Sequence, residues 1–288
     1  MRPVAIVTDS THYTTRELID AAGVHEVSLY VRDGAEPRRE TEITDYDNFY
    51  KRLRHAAELP STSQPSIGDF VTAYEPLLEA GNDIVSIHLA GGISGTVGAA
   101  AQAAALLGER RGDGARIEVI DAETACGGLG CVVLAAAAAA RAGADVDAVV
   151  ARAREARAAL AIWFCIDTLE YLQRGGRVGR AQAWLGGALK IKPILSLEAE
   201  ITPVERVRTS GRAFERMVDY MRMRRDDGAD GWVVQHIQSP ERAAALVEKG
   251  RELFGCEPAW VSEVGPVIGT YTGPGLIGVG GIPARFFA

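Results

Sequence analysis

Four short polar loops hold most of the chemistry this chain could perform: Asp9-Ser10-Thr11, Ser61-Thr62-Ser63-Gln64-Pro65-Ser66, Ser94-Gly95-Thr96 and Asp121-Ala122-Glu123-Thr124. Each lies where a strand-like run meets a loop or a helical pattern. Serine, threonine and aspartate at such junctions are ordinary helix N-caps, and any one loop is explained that way. Several on one edge of a sheet also make a receptor for a carboxylate or phosphate, through hydroxyls and the backbone N–H groups of helix N-termini. In open parallel sheets, ligands collect at this edge.

Other chemistries fit the residues less well. Gly92-Ile93-Ser94-Gly95-Thr96 resembles a nucleophile elbow, but the pattern needs glycine two places after the serine and Thr96 stands there. The five histidines (His12, His25, His55, His88, His236) show no triad or metal-ligand spacing. His88 falls inside a strand and reads as a satisfied structural residue. Gly273-Pro274-Gly275, after Thr270-Tyr271-Thr272, is a rigid turn that lets Tyr271 and nearby N–H groups complete an anion site. From Glu205 to Arg225 there are seven arginines (206, 208, 212, 216, 222, 224, 225). With Phe214, Met217, Val218 and Met221 at helical spacing, they describe an amphipathic helix with a basic outer face, either simply solvated or a docking surface for an acidic or nucleotide-bearing partner.

The elements that must position these loops follow from periodicity. Val4–Thr8, Val27–Val31, Asp83–Leu89 and Arg116–Asp121 are predicted strands. Helices are predicted over Tyr46–Ala57 (with Thr44 and Asp47 as an approximate capping box), Gly68–Ala80, Thr96–Leu107, Ala125–Ala142 and Val146–Leu160. Ala-Gly-Ala-Asp between the last two supplies a C-cap glycine and an N-cap aspartate. This alternation predicts a parallel sheet with helices on both faces. The second half changes character. Strands are expected at Ala161–Asp167, Lys192–Ser196, Thr202–Val207, Trp232–Ile237, Pro258–Val264 and Leu276–Gly280, and helices around Ala181–Leu189, Ala213–Arg224 and Pro240–Phe254. Such irregular spacing predicts a mixed sheet covered by helices on one side. The fold class is therefore α/β with two domains, 1–160 and 161–288.

The 288 residues can bury a substantial core, and a composition 47% hydrophobic and 24% charged is that of a folded protein. A formal net charge of −7 argues against general affinity for nucleic acid or anionic membranes. The longest apolar run, Cys131 to Ala140, falls far short of the ~20 residues that span a bilayer. The four cysteines form no C-x-x-C pair, so reduced thiols in a cytoplasmic protein are expected.

In this order, several short motifs closely resemble those of the DegV family, the bacterial fatty-acid-binding subunits of fatty acid kinase. They are Val7-Thr8-Asp9-Ser10-Thr11, Thr62-Ser63-Gln64-Pro65-Ser66, Ser94-Gly95-Thr96, Asp167-Thr168-Leu169-Glu170-Tyr171-Leu172 and Gly175-Gly176-Arg177-Val178-Gly179. Ile191-Lys192-Pro193-Ile194, Val207-Arg208 and Gly273-Pro274-Gly275 complete the series. The resemblance covers essentially the whole chain.

It implies two α/β domains with a long-chain fatty acid buried between them as ligand, no other cofactor or metal, and no catalytic residue in this chain. The carboxylate would be held by Thr62 and Ser94, with Tyr271, Ser63, Gly95, Thr96, Asp9 and Ser10 around it. A partner kinase would convert that carboxylate to an acyl phosphate, with Arg208 and Arg177 facing the kinase. Two departures are visible. Where the family usually has histidine two residues before Gly-Pro-Gly, this chain has Tyr271, and Ala90-Gly91-Gly92 replaces a frequent serine pair. Tyrosine can donate one hydrogen bond but carries no positive charge. The rivals are a stand-alone phosphotransferase or hydrolase, for which no P-loop, metal cluster or acid–base pair is evident, and a carrier of another amphipathic anion.

Overall fold

The computed structural model describes residues 2–34, 36–111, 114–185 and 191–288. The first half runs β1 (Val4–Asp9), α1 (Arg16–Ala22), β2 (His25–Val27), β3 (Tyr30–Arg32), β4 (Arg38–Arg39), α2 (Tyr46–His55), β5 (Ser61–Ser63), α3 (Ile67–Glu79), β6 (Asp83–His88), α4 (Thr96–Arg111), β7 (Ile117–Asp121), α5 (Gly127–Arg141) and α6 (Val146–Ala159). The second runs β8 (Ala161–Cys165), α7 (Glu170–Arg174), β9 (Lys192–Glu198), β10 (Glu200–Val207), α8 (Ser210–Asp226), β11 (Gly231–His236), α9 (Pro240–Phe254), β12 (Trp260–Glu263), α10 (Pro266–Thr272) and β13 (Ile277–Ile282).

Strands β2-β1-β6-β7 form a wholly parallel sheet, paired for example Ile6 to Val85 and Val85 to Glu118. Alternation along each strand divides its side chains between two layers. Val7 and Ile84 pack with Phe70 and Tyr74 of α3 and Ala99 and Ala103 of α4. Ile6, Val85 and Ile87 face the opposite way, toward α5 and α6. The six-stranded sheet β10-β9-β8-β13-β11-β12 is mixed, with only its β11–β12 pair parallel. Helices α8 and α9 cover one of its faces, where Cys165, Ile194, Val234, Ile277 and Val279 meet Met217, Met221 and Leu246.

Helix α5 packs on both sheets, touching β1 and β6 on one side and β11 and β13 on the other. That position explains its composition. Eleven of its residues are buried, and glycine and alanine let two sheets approach one helix. A single core cluster therefore runs through both halves of the chain. Among the described residues, no helix is long and apolar enough to cross a membrane.

Several expectations need correction. The run Val27–Val31 is two strands, β2 in the parallel sheet and β3 in a separate antiparallel sheet β4-β3-β5. The cap of α2 is Asp45, which accepts from Asn48 N at 2.9 Å, while the true capping box is Ser66 with Asp69 on α3. Residues 179–184 form a short 3₁₀ helix, and the remainder of the helix expected over Ala181–Leu189 lies, from 186 on, outside the described residues. The basic face of α8 is largely neutralised. Arg212 pairs with Glu215, Arg216 with Glu205 and Asp219, Arg222 with Asp219, and Arg225 with Asp226. Arg224 points inward, donating to the Ala159 carbonyl at 2.6 Å. Only Arg206 and Arg208 of the seven make no ion pair with any described residue.

Candidate functional site

A cavity of about 330 Å³ opens between the loop edge of the parallel sheet and the inner face of the mixed sheet. Its size is at the lower end of the roughly 300–1,000 Å³ usual for ligand pockets. Its wall on the mixed sheet is built by alternation: Ile162 and Phe164 of β8, Leu197 of β9, Val233 and Gln235 of β11 and Gly278 of β13 all point inward. Val267, Ile268 and Leu276 bring apolar groups from the other side.

The rim is polar, and three separate elements build it. Strand β5 contributes Thr62 and Ser63, placed by pairing with β3 (Val31 opposite Thr62). The loop after β6 contributes Ser94 and Gly95, where Gly95 O accepts from Ala99 N in the first turn of α4. The positive end of a 16-residue helix thus lies at the rim. Helix α10 contributes Tyr271, whose hydroxyl is 2.6 Å from Thr62 Oγ1 across 209 residues of sequence. Ser94 Oγ is 2.9 Å from Thr96 Oγ1, so this serine hydrogen-bonds a threonine and not a histidine.

Two glycines at the rim are closely approached by side chains from other elements. A Cβ on Gly95 would fall 2.0 Å from Gln64 Oε1, so the Gln64 side chain lies directly over the loop bearing Ser94 and joins two of the polar motifs. A Cβ on Gly175 would fall 2.2 Å from the Tyr271 ring. Arg177, two residues on, places its guanidinium 4.7 Å from the centre of that same ring and donates to Gly175 O at 2.8 Å. Arg177 therefore lies at the cavity mouth and supplies positive charge beside a tyrosine that has none.

Of the residues expected to hold an anion, Thr62, Ser63, Ser94, Gly95 and Tyr271 line this cavity. Thr96 sits just behind Ser94 and is buried. Asp9 and Ser10 are placed differently: both are buried and neither lines the cavity. Asp9 caps the turn at Thr11 and accepts from Leu89 N at 2.9 Å. Burial would raise its carboxyl, but the hydrogen bond and field of His88, with donors on Thr11 and Leu89, hold it below its ordinary value. Ser10 donates to Glu40 at 2.6 Å. Arg208 is exposed at the end of β10, away from the cavity wall.

Sequence spacing did not single out Glu40. Buried at the centre of its own network, it accepts from Ser10, from Tyr13 Oη at 2.7 Å and from Val267 N at 2.7 Å. The last bond ties it to the first turn of α10, the helix that carries Tyr271. Burial pushes the Glu40 carboxyl up to about 7, against the pull of those three donors. No motif announces it, because its role depends on a helix more than 200 residues away in sequence.

Ser86, His88 and Asp9 do form a hydrogen-bonded series, at 2.7 and 3.1 Å. All three side chains are fully buried, and Tyr74 Oη also donates to Ser86, so no substrate reaches the serine. The histidine is satisfied at both ring nitrogens. Cys126, on the cavity wall, is held as a neutral thiol because burial and the nearby Glu40 and Asp9 carboxylates push its titration far up. Among the described residues, no cluster of three or more His, Cys, Asp or Glu is arranged to hold a metal ion.

An apolar cavity closed by two sheets, with hydroxyls and a helix N-terminus at one end, has the chemistry to take an amphipathic ligand with an anionic head. The particular family follows from comparison with known proteins. The model of the DegV family, described as uncharacterised proteins, matches residues 3–284, and the chain belongs to that family. A DegV domain-containing protein of Streptomyces coelicolor is 39% identical over 281 residues, covering 96% of this chain and 98% of the relative. Protein DegV of Bacillus subtilis is 34% identical over 282 residues, covering 96% and 98%. The solved structure of the Bacillus subtilis DegV, described as a fatty acid binding protein, superposes with a TM-score of 0.88 at 33% identity, covering 98% of this chain and 100% of that one. A DegV family protein from Thermus thermophilus, described by its fatty acid binding, gives 0.85 at 33% identity, covering 98% and 99%.

Proposed function

We propose that this chain binds one long-chain fatty acid, with the acyl tail in the cavity and the carboxylate at Thr62, Ser94 and Tyr271, between an N-terminal domain (1–160) and a C-terminal one (161–288). The observation that carries this reading is the Thr62–Tyr271 hydrogen bond of 2.6 Å at the mouth of an otherwise apolar cavity. Two hydroxyls there cannot both donate to each other, so at least one proton is available to an entering carboxylate. Burying some fourteen methylenes at roughly 0.8 kcal/mol each gives a gross drive of about 11 kcal/mol, part of which orders the flexible chain. The rim therefore contributes orientation more than affinity.

Orientation matters because the carboxylate ends where a second protein can reach it. In this proposal a kinase partner phosphorylates it to an acyl phosphate in the cytoplasm, and this chain presents the substrate without catalysing the transfer. Arg177 lies beside the head group and Arg208 is an exposed arginine without an ion pair among the described residues, so both are available to the partner. The test is mass spectrometry of organic extracts from freshly purified protein, against a mock purification. Stoichiometric fatty acid of C14–C18 length is expected. A different amphipathic acid in its place would identify Tyr271 as marking another head group, and absence of any lipid, with no uptake of added fatty acid, would overturn the proposal.

A further inference from the structure

Gly278 is the place in the cavity wall where the absence of a side chain is not explained by the fold. It is the second residue of β13, directly opposite Phe164 on β8 and Gln235 on β11. Alternation turns it toward the cavity, since its neighbours Ile277 and Val279 face the core under α8 and α9. The other two glycines of the strand are dictated by their surroundings. A Cβ on Gly280 would come 2.6 Å from Ala161 O, and one on Gly281 would come 2.5 Å from Gly231 O. Gly95, the other glycine of the cavity wall, sits at the exposed rim under the end of the Gln64 side chain. A Cβ on Gly278 would meet only Phe164 Cβ at 3.5 Å, Trp163 O at 3.6 Å and Gln235 O at 3.9 Å, all ordinary contacts. Nor does its backbone lie in the left-handed region that favours glycine.

The walls around this gap are rigid. The Gln235 amide accepts from Gly127 N at 2.5 Å and donates to Tyr13 O at 3.2 Å and Ser262 Oγ at 3.0 Å. It cannot swing aside without leaving buried polar groups unpaired. Cys126 and Ala125, at the start of α5, line the cavity as well. Gly278 is buried, whereas Ser63, Gln64, Gly95 and Arg177 at the rim are exposed. The gap therefore lies in the buried part of the cavity wall, beside the start of α5, and not among the exposed rim residues.

Resting on the fatty-acid reading above, we infer that Gly278 is a chain-length determinant: its missing side chain holds the terminal carbons of the acyl tail between Phe164 and Gln235. Filling the gap displaces those carbons and shifts the preference to shorter acids. Each methylene excluded weakens retention about fourfold.

The experiment compares wild type, Gly278→Ala and Gly278→Val, each delipidated and offered an equimolar mixture of saturated C12, C14, C16 and C18 acids, with bound acids quantified by mass spectrometry. Expected is a fall in the C18 to C14 ratio of about fourfold for Gly278→Ala and about fifteenfold for Gly278→Val. Thermal unfolding checks each fold, and the alanine variant, whose added atom makes only ordinary contacts, carries the result if the valine variant misfolds. A ratio unchanged from wild type in folded variants that still bind fatty acid overturns the assignment of Gly278 alone. Wild type that takes up no fatty acid overturns the underlying reading and this inference with it.

Discussion

The parallel sheet offers the cavity its edge and the mixed sheet offers it a face. At the edge, the end of β6 and the start of α4 expose backbone N–H groups and hydroxyls at Ser94 and Gly95, and β5 of the small antiparallel sheet brings Thr62 beside them. On the face, every second side chain points inward, so the residues are Ile162, Phe164, Leu197 and Val233. Under the proposed function, the polar rim supplies recognition of charge and the mixed sheet supplies hydrophobic burial. The two contributions differ in size: hydrogen bonds exchanged with water are worth about 1 kcal/mol net each, while apolar burial accumulates at roughly 0.8 kcal/mol per methylene. The face should therefore dominate affinity and the edge should dominate pose.

The sharpest way to break this comparison is to give the face a charge. Val233→Asp places an unpaired carboxylate against the apolar wall, at a cost of several kcal/mol to a bound tail. Extracts of the folded variant should contain no acyl chain. Undiminished lipid would show that the face is not where the tail lies.

Helix α10 stands between edge and face, and Glu40 anchors it. Because burial raises this carboxyl from its ordinary 4.5 to about 7, the folded state holds a proton that the unfolded state has released between those values. Stability contributed by Glu40 is present at low pH and is lost as pH rises through about 7, with an amplitude of about 3 kcal/mol. The neutral Glu40→Gln variant lacks that loss. Its melting temperature relative to wild type should rise between pH 5 and pH 8, and a parallel pair of pH profiles would refute the assignment.

At the edge, Thr62→Ala with Ser94→Ala removes two hydroxyls. Fatty-acid affinity should fall by about 2 kcal/mol, or roughly thirtyfold, with the fold retained. A double variant that binds as tightly as wild type would move the head group elsewhere. The smallest effect on binding is expected from Arg208→Ala, within about 0.5 kcal/mol in affinity and in stability because the side chain is exposed. Kinase-dependent acyl phosphate formation should nevertheless fall, and unchanged turnover would remove the docking role.

Long elements with a clear period were legible in advance. The predicted helix Pro240–Phe254 and the parallel strands at 4–9, 83–88 and 117–121 are found within a residue or two of their expected bounds. Shorter elements were not. Strand β5 is Ser61-Thr62-Ser63, which reads as capping residues because nothing local distinguishes a serine that pairs with β3 from one that caps α3. Helix α10 carries Gly269, Thr270 and Thr272, all poor helix formers, and exists because Glu40 and the core hold its first turn. Asp9 and Ser10 were grouped with the anion loops by residue type, but the fold spends them on internal hydrogen bonds.

By itself, the sequence determined the fold class, the two kinds of sheet and the polar loops at strand ends, because periodicity and capping are local properties of a chain. Only the tertiary structure decided which loops meet. Thr62 reaches Tyr271 across 209 residues, Glu40 reaches Val267 across 227, and Gly278 lies opposite Phe164 only through strand register. Those juxtapositions depend on how two sheets pack around one small-residue helix. Packing of that kind sums weak contacts over the whole chain and leaves no signature in any short stretch of it.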